Sequence, residues 1–379
     1  MNIFQVPVAA TPSGLILGAQ QQSAVDAVRS WIRTPRAPQI FRLFGYAGTG
    51  KTTLAKIIAA DLPRVAFAAF TGKAAAVLRA KGCEDAGTLH QLIYRRVTDA
   101  TTRQPRFVRK EDGELAGIAL IVIDECSMVD AKLGEDLLSF GKRILVLGDP
   151  AQLPPVNGTG FFTNAKPDVL LTEIHRQAAD NPIIALATRV RQGGRLTPGS
   201  HGDSRVLSLI DLEAERVLAA DQVLCGRNAT RRRYNTRIRE LRGQRDPWPV
   251  VGDKLVCLRN NHTRGLLNGE LWFVTAIFPQ TDAHVVRLAL RSDDGGVGDK
   301  EVRVHRAFFA GTEDSLTERE RRGLDEFSSG YALTVHKAQG SEWGDVVLFD
   351  EGEVFRDDAP RFRYTGLTRA ARSVTVVLP

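Results

Sequence analysis

Short apolar runs alternate with helix-like stripes along most of this chain. Ile40 to Phe44 has strand character, and Thr53–Leu62 (TLAKIIAADL) has helical composition up to Pro63. Upstream, residues 15–33 carry apolar positions at 24, 25, 28 and 31, the stripe of an amphipathic helix. Arg64–Phe70 reads as a buried strand, followed by an alanine-rich helix, and Thr88–Gln91 opens another short helix. Ala119–Asp124 and Arg143–Gly148 are continuous aliphatic runs, the pattern of parallel strands buried on both faces. Residues 221–242 predict a strand and then a strongly basic helix, a solvated face that can also touch phosphates. Strands alternating with helices predict an α/β fold with parallel sheets.

Two stretches break this rhythm. Between 246 and 326 the apolar period shortens to alternation, in KLVCLRN, ELWFVTAIF, AHVVRLAL and EVRVHRAFF. Turn signals at Asn268-Gly269, Asp293–Gly296 and Gly298-Asp299 separate them, which predicts a small inserted antiparallel barrel. Residues 94–114 predict a hairpin turning near Asp112-Gly113. Six basic residues there (Arg95, Arg96, Arg103, Arg106, Arg109, Lys110) surround Tyr94 and Phe107. Basic residues around an aromatic suit a nucleic-acid strand, and a solvated loop is the alternative.

Chemistry enters between the first strand and its helix. Gly45-Tyr-Ala-Gly48-Thr-Gly50-Lys51-Thr52 fits the phosphate-loop pattern Gly-x-x-x-x-Gly-Lys-Thr. Its glycines turn backbone N–H groups inward as an anion nest, and the helix N-terminus adds positive potential. Lys51 supplies charge for β- and γ-phosphates, and the Thr52 hydroxyl suits Mg²⁺. The strand at 119–124 ends in Asp124 and Glu125. One carboxylate suits Mg²⁺, and the other suits orienting and deprotonating an attacking water. Gln152, after the next strand, is placed to reach a γ-phosphate. Thr71 and Lys73 follow a strand at its ligand-facing end and are candidates for a second anion contact, with helix capping as the alternative for Thr71. The Gln21 amide is a candidate for an adenine edge, against a merely solvated glutamine.

Composition narrows the class little further. A chain of 379 residues holds two or three domains, and 43% hydrophobic with 25% charged residues is ordinary for a soluble protein. The net charge of +7 suits a polyanion partner without specifying one. Cys83, Cys126, Cys225 and Cys257 are too far apart for a Cys-x-x-Cys pair and are expected as reduced thiols. With no secretory pattern at the N-terminus and no apolar run of membrane-spanning length, a cytoplasmic protein without membrane contact is expected.

The motifs taken together resemble a superfamily 1 helicase of the RecD/Dda type (superfamily 1B). The resemblance rests on the phosphate loop, Ile123-Asp-Glu-Cys-Ser-Met-Val129 and Leu147-Gly-Asp-Pro-Ala-Gln-Leu-Pro-Pro155. Leu171-Thr-Glu-Ile-His-Arg176-Gln177 resembles that family's γ-phosphate arginine motif, Phe327–Glu342 its fifth motif, and Arg363–Ala370 its sixth, with Arg369 as arginine finger. The likeness covers roughly residues 19–371. It implies two RecA-like P-loop domains, with an inserted hairpin and an inserted small SH3-like β-barrel. The expected division is 1–91 with 117–168, the hairpin at 92–116, 169–245 with 329–379, and the barrel at 246–328.

The resemblance also implies roles. ATP would lie between the α/β domains against Gln21, Gly45, Gly48, Gly50, Lys51, Thr52, Thr53, His175, Gly340 and Glu342, with Mg²⁺ at Thr52 and Asp124. His175 stands where the family often has an aromatic, which leaves base stacking open. Lys51, Glu125, Gln152, Arg176 and Arg369 would carry catalysis, and two arginines from a second domain would tie hydrolysis to domain closure. Single-stranded DNA would run along Thr71, Lys73, His90, Thr334, His336 and Lys337. The residues of the hairpin themselves, and not the resemblance, suggest Phe107 as a wedge at single-strand/duplex junctions, with part of the strand grip or a solvated loop as the alternatives. Movement 5′-to-3′ by a monomer is the further implication. Two alternatives stand beside it. One is a single-strand translocase that remodels protein–DNA complexes with little unwinding. The other is a P-loop kinase or metabolic NTPase, which leaves Arg369 and the second α/β half unexplained.

Overall fold

The aliphatic runs of the N-terminal half become neighbouring strands of one parallel sheet. The structure, a computed structural model, describes residues 16–98, 105–154, 160–174, 180–261, 264–279, 282–293 and 298–379. The first strands are β1 (Ile40–Gly45), β2 (Val65–Ala69) and β3 (Gly87–Thr88), then a separate hairpin of β4 (Tyr94–Thr98) and β5 (Pro105–Arg109). After it come β6 (Leu120–Asp124), β7 (Arg143–Gly148) and β8 (Val169–Leu171). The sheet order is β3-β2-β6-β7-β1-β8, all parallel.

The strand period of two explains why β6 and β7 are apolar throughout. Leu120 and Val122 of β6, with Leu145 and Leu147 of β7, join the core on the face covered by helices Ala19–Arg33 and Lys51–Ala59. Ile121, Ile123, Ile144 and Val146 point the other way, onto helix Ala131–Leu138. Burying each such side chain contributes about 1.5–3 kcal/mol. Local chemistry starts the helices. The Thr71 hydroxyl accepts the Ala74 N–H (3.1 Å), Thr88 the Gln91 N–H (3.2 Å), and Asp130 the Leu133 N–H (2.8 Å).

The second α/β domain holds β9 (Gly199–His201), β10 (Ser204–Ser208) and β11 (Gln222–Cys225). An antiparallel sheet follows: β12 (Lys254–Cys257), β13 (Leu271–Ile277), β14 (Val285–Ser292), β15 (Lys300–His305) and β16 (Phe327–Ser329), in the order β15-β14-β13-β12-β16. The chain then returns to the second domain through β17 (Ala332–Thr334), β18 (Trp343–Phe349) and β19 (Ala370–Leu378). The sheet order there is β17-β11-β18-β19-β10-β9, parallel except for β9 against β10. Helices Pro182–Arg191 and Ala359–Leu367 pack Ile183, Leu186, Val190, Phe362 and Leu367 onto that sheet. All four cysteines are free and buried.

Two expectations need correction. The strands β4 and β5 pair from Tyr94↔Arg109 to Thr98↔Pro105, so Asp112-Gly113 lies beyond the paired strands and is not the turn of this hairpin. Asp112-Gly113 instead opens a 3₁₀ turn, Asp112–Leu115, boxed by Glu111 and Glu114. An Asp-Gly pair satisfies either kind of turn, and the strand register decides between them. The basic helix, Asn228–Leu241, is also not simply a solvated or phosphate-binding face. Arg231 is buried and donates to the Ser328 hydroxyl (3.3 Å). Arg239 is buried too, donating to the Pro247 and Trp248 carbonyls and pairing with Asp253 at 3.2 Å. Asp253 also accepts the Tyr331 hydroxyl (2.8 Å), so this helix anchors the root of the antiparallel sheet.

Candidate nucleotide and strand sites

A cleft of about 400 Å³ opens where the carboxyl ends of β1, β6 and β7 face the second domain. Gly48, Gly50, Lys51, Thr52, Thr53, Asp124, Glu125 and Gln152 line it from the first domain, and Glu342 and Arg369 from the second. Gly48 and Gly50 have φ of 79° and 84°, backbone that only glycine adopts without strain, and Gly50 leads directly into helix Lys51–Ala59. Lys51 folds back on its own loop, donating to the Gly45 and Tyr46 carbonyls at 2.7 and 3.2 Å.

The carboxylates sit as their strand-end position requires. The Thr52 hydroxyl donates to Asp124 Oδ2 (3.1 Å), and the Glu125 N–H donates to Asp124 Oδ1 (2.9 Å). Burial, with the Glu125 charge adding to it, pushes the Asp124 carboxyl above the usual range, against Lys51 and these hydrogen bonds. Glu125 holds φ 52°, a left-handed backbone uncommon outside glycine. Its Oε1 lies 3.4 Å from both Gln152 Nε2 and Arg369 Nη1. Arg369 is 5% exposed and also donates to the Thr365 carbonyl (3.1 Å), the Ser341 carbonyl (3.2 Å) and the Thr368 hydroxyl (3.3 Å).

The donors suit a hard divalent cation. Thr52 and Asp124 offer two oxygens, and among the described residues no cluster of three His, Cys, Asp or Glu side chains would hold a metal alone. A Mg²⁺ here would complete its shell with water and phosphate oxygens.

Several expected contacts fall elsewhere. The Gln21 amide is spent on backbone: its Oε1 accepts the Gly18 N–H (3.1 Å) and its Nε2 donates to the Thr49 carbonyl (3.0 Å). It braces the phosphate loop and is not part of the cleft lining. Gly340 stands away from the cleft lining, and a Cβ on it would meet Ala74 Cβ and Thr71 Oγ1 at 3.3 Å. Gly45 contributes its carbonyl to Lys51 and is not itself in the lining. His175 and Arg176 lie outside the described residues.

A second cavity of about 350 Å³ lies on the other side of residues 334–342. It brings together Thr71, Lys73 and His90 of the first domain and Thr334, His336 and Lys337 of the second, with Asn260, Asn268 and Glu270 of the antiparallel sheet region. Thr71 is thus both a helix cap and part of the lining. Lys73 pairs with Asp293 at 3.1 Å and lies 4.1 Å above the Trp343 ring. Burial lowers the Lys337 ammonium to about 8, the Arg231 charge adding to the effect, and burial also lowers His336. Phe107 is not in this cavity. It sits mid-strand on β5, 39% exposed, opposite Arg96.

The stretch between the cavities belongs to both. Gln339 and Ser341 line the second cavity, the Ser341 carbonyl holds Arg369, and Glu342 lines the first. Sequence reasoning passed over Asp149, Tyr364, Thr365 and Gln339, although all four lie inside the quoted motifs. It also passed over Lys81, which meets Glu342 across the first cleft at 3.3 Å. Lys81 follows the helix Gly72–Ala80 with no local cue to its role.

Comparison with known proteins agrees with this layout. A family model described as an AAA domain matches residues 17–201, and one described as a UvrD-like helicase C-terminal domain matches 329–377. The ATP-dependent RecD2 DNA helicase of Deinococcus radiodurans is 31% identical over 86% of this chain and 45% of its own. The ATP-dependent DNA helicase dda of Enterobacteria phage T4 is 32% identical over 56% of this chain and 54% of its own. The chain therefore spans about half the length of these curated relatives. Among solved structures, a Bacteroides Pif1 bound to single-stranded DNA has the same fold, with a TM-score of 0.53, 19% identity, and coverage of 95% of this chain and 92% of that one.

Proposed function

We propose that this chain, which resembles the RecD2 and Dda DNA helicases, is a superfamily 1B helicase of the RecD/Dda type: an ATP-dependent enzyme that moves along single-stranded DNA and separates duplex. The observation that carries this reading is the pair of cavities, each lined from both α/β domains and joined by residues 334–342. A change in the distance between the domains alters both at once.

In the nucleotide cleft, Lys51 leaves the loop carbonyls for phosphate oxygens. Glu125 orients a water and takes its proton, and Gln152, already beside Glu125, senses the terminal phosphate. Mg²⁺ held by Thr52 and Asp124 would neutralise phosphate charge. Arg369 reaches from the second domain to the charge that grows in the transition state, so hydrolysis proceeds only when the domains are together. On the strand side, Thr71, Lys73, Thr334 and Lys337 hold backbone phosphates, and His90 and His336 flank the strand. Closing and reopening the cleft would step one domain along the strand relative to the other, 5′-to-3′. We assign residues 1–91 with 117–168 and 169–245 with 329–379 to the two motor domains. The antiparallel unit at 246–328 is an SH3-like barrel in this reading, and the hairpin at 92–116 is the separating element, with Phe107 on its second strand.

The test is unwinding of duplexes carrying only a 5′ or only a 3′ single-stranded tail, with single-strand-stimulated ATPase measured on the same preparation. Stimulated ATPase with unwinding from the 5′ tail supports the proposal, and ATPase indifferent to DNA overturns it. Phe107→Ala separates wedge from motor, because the wedge reading requires unwinding to fall while stimulated ATPase holds.

A further inference from the structure

Arg369 follows helix Ala359–Leu367, and a residue of that helix also reaches the nucleotide site. Tyr364 is 2% exposed. Its hydroxyl donates to Asp149 Oδ2 and accepts the Ala47 N–H, both at 2.7 Å. Ala47 is in the phosphate loop, and Asp149 opens the segment that carries Gln152. The other Asp149 oxygen accepts the Ala151 N–H (2.9 Å), and the Asp149 carbonyl accepts the Gln152 N–H (3.2 Å). One phenol from the second domain thus touches both halves of the first-domain site.

Neighbouring contacts strengthen the junction. Thr365, next on the helix, accepts the Leu153 N–H with its hydroxyl (2.8 Å), while Gln339 donates to the Leu153 carbonyl (2.6 Å). Gln339 also lines the strand-side cavity, so the segment after Gln152 is gripped by the stretch that faces DNA. Arg191 of helix Pro182–Arg191 lies 3.6 Å over the Tyr46 ring, a further second-domain contact on the phosphate loop. Burial and the Asp149 charge raise the Tyr364 phenol above its ordinary range, so it remains a donor at neutral pH.

We propose that Tyr364 is a positioning residue that couples domain closure to the geometry of the nucleotide site, by fixing the phosphate loop and the Gln152 segment against the helix that leads to Arg369. The proposal rests on the helicase reading above. In the closed arrangement the hydroxyl satisfies two buried groups at once, and in an open one Ala47 and Asp149 turn to water. Removing the hydroxyl leaves both unpaired in the closed state only, which shifts the balance toward opening. DNA then loses its means of accelerating hydrolysis, and nucleotide loses its means of changing the grip on DNA.

The experiment compares wild type with Tyr364→Phe, which keeps the ring and removes only the oxygen. Steady-state ATPase is measured without and with saturating single-stranded DNA. DNA affinity is measured with no nucleotide, with ADP and with a non-hydrolysable ATP analogue. Distance between dyes on the two domains is read with the same analogue. The expected result is a fall of about tenfold or more in DNA-stimulated kcat, the size of one lost buried hydrogen bond. KM for ATP should change much less. The difference in DNA affinity between nucleotide states should shrink, and the dyes should stay further apart. Thr365→Val, which removes the Leu153 contact, should weaken the same coupling and guards against an effect peculiar to position 364. If the variant folds and keeps the wild-type stimulation ratio and dye distance, the proposal is overturned. So it is if kcat falls while dye distance and nucleotide-dependent DNA affinity stay as in wild type, since Tyr364 would then act locally. If wild type itself shows no DNA stimulation, the helicase reading fails instead.

Discussion

Arg369→Ala is the sharpest test of how the two domains cooperate. The side chain is 5% exposed and spans from Thr365 and Ser341 in its own domain to Glu125 in the other. Its pairing with Glu125 is long, at 3.4 Å, and the Glu125 side chain is 25% exposed, so that pair contributes at most about 1 kcal/mol. An arginine that meets transition-state charge is worth about 10³–10⁵ in kcat. At about 1.36 kcal/mol per tenfold, that is roughly 4–7 kcal/mol. Losing the resting ion pair therefore cannot explain the expected loss of rate. The substitution also strips the guanidinium from two carbonyls, and each buried group left unsatisfied costs about 1–3 kcal/mol of stability. Thermal unfolding must accordingly be followed beside activity. The assay is single-strand-stimulated ATPase with separate measurement of ATP affinity. Arg369→Lys should rescue little, because an ammonium cannot reproduce a planar group bonded through three nitrogens. Turnover near wild type in a folded Arg369→Ala protein refutes the assignment. An equal loss of affinity and rate makes Arg369 a ground-state phosphate ligand.

Glu125→Gln should bind ATP and lose about 10²–10⁴ in rate, because an amide cannot take the proton of the attacking water. A rate within about tenfold of wild type would remove Glu125 from the base position. Asp293→Asn removes the carboxylate that pairs with Lys73 at 3.1 Å. Single-stranded DNA should then bind more tightly, because no carboxylate competes with the strand for Lys73, and unchanged affinity would count against Lys73 as a phosphate contact. Lys337 has its ammonium lowered to about 8, so it is charged below that pH and loses charge above it. DNA affinity should therefore fall as pH rises from neutral through that value, and Lys337→Arg, which does not titrate in the range, should flatten the profile. The same pH profile in both proteins would refute a charge role for Lys337.

How much of this was legible in the chain depends on how far each contact reaches. The phosphate loop is local: a strand, three glycines and a helix start lie within a few residues, and the cleft forms where that pattern puts it. The apolar runs at 119–124 and 143–148 were equally plain, since strands covered on both faces leave no room for polar side chains. Failures came where one local signal has two uses. Asp112-Gly113 suits a hairpin or a 3₁₀ turn, and only the pairing of Tyr94 with Arg109 chooses. The cations of Asn228–Leu241 look solvated until Asp253 and Ser328, from other elements, receive Arg239 and Arg231. Gln21 carries no local sign that its amide bonds the backbone of Gly18 and Thr49. Tyr364 and Asp149 are the extreme case, because both lie inside motifs that were read, yet they meet across 215 residues. Periodicity and motif spacing say which chemistry each domain carries, and only the docked structure says which side chains cross between them. The proposed activity depends on those crossing contacts. A variant that spares each domain and cuts only a crossing contact, as Tyr364→Phe does, tests the motor more directly than one that empties the phosphate loop.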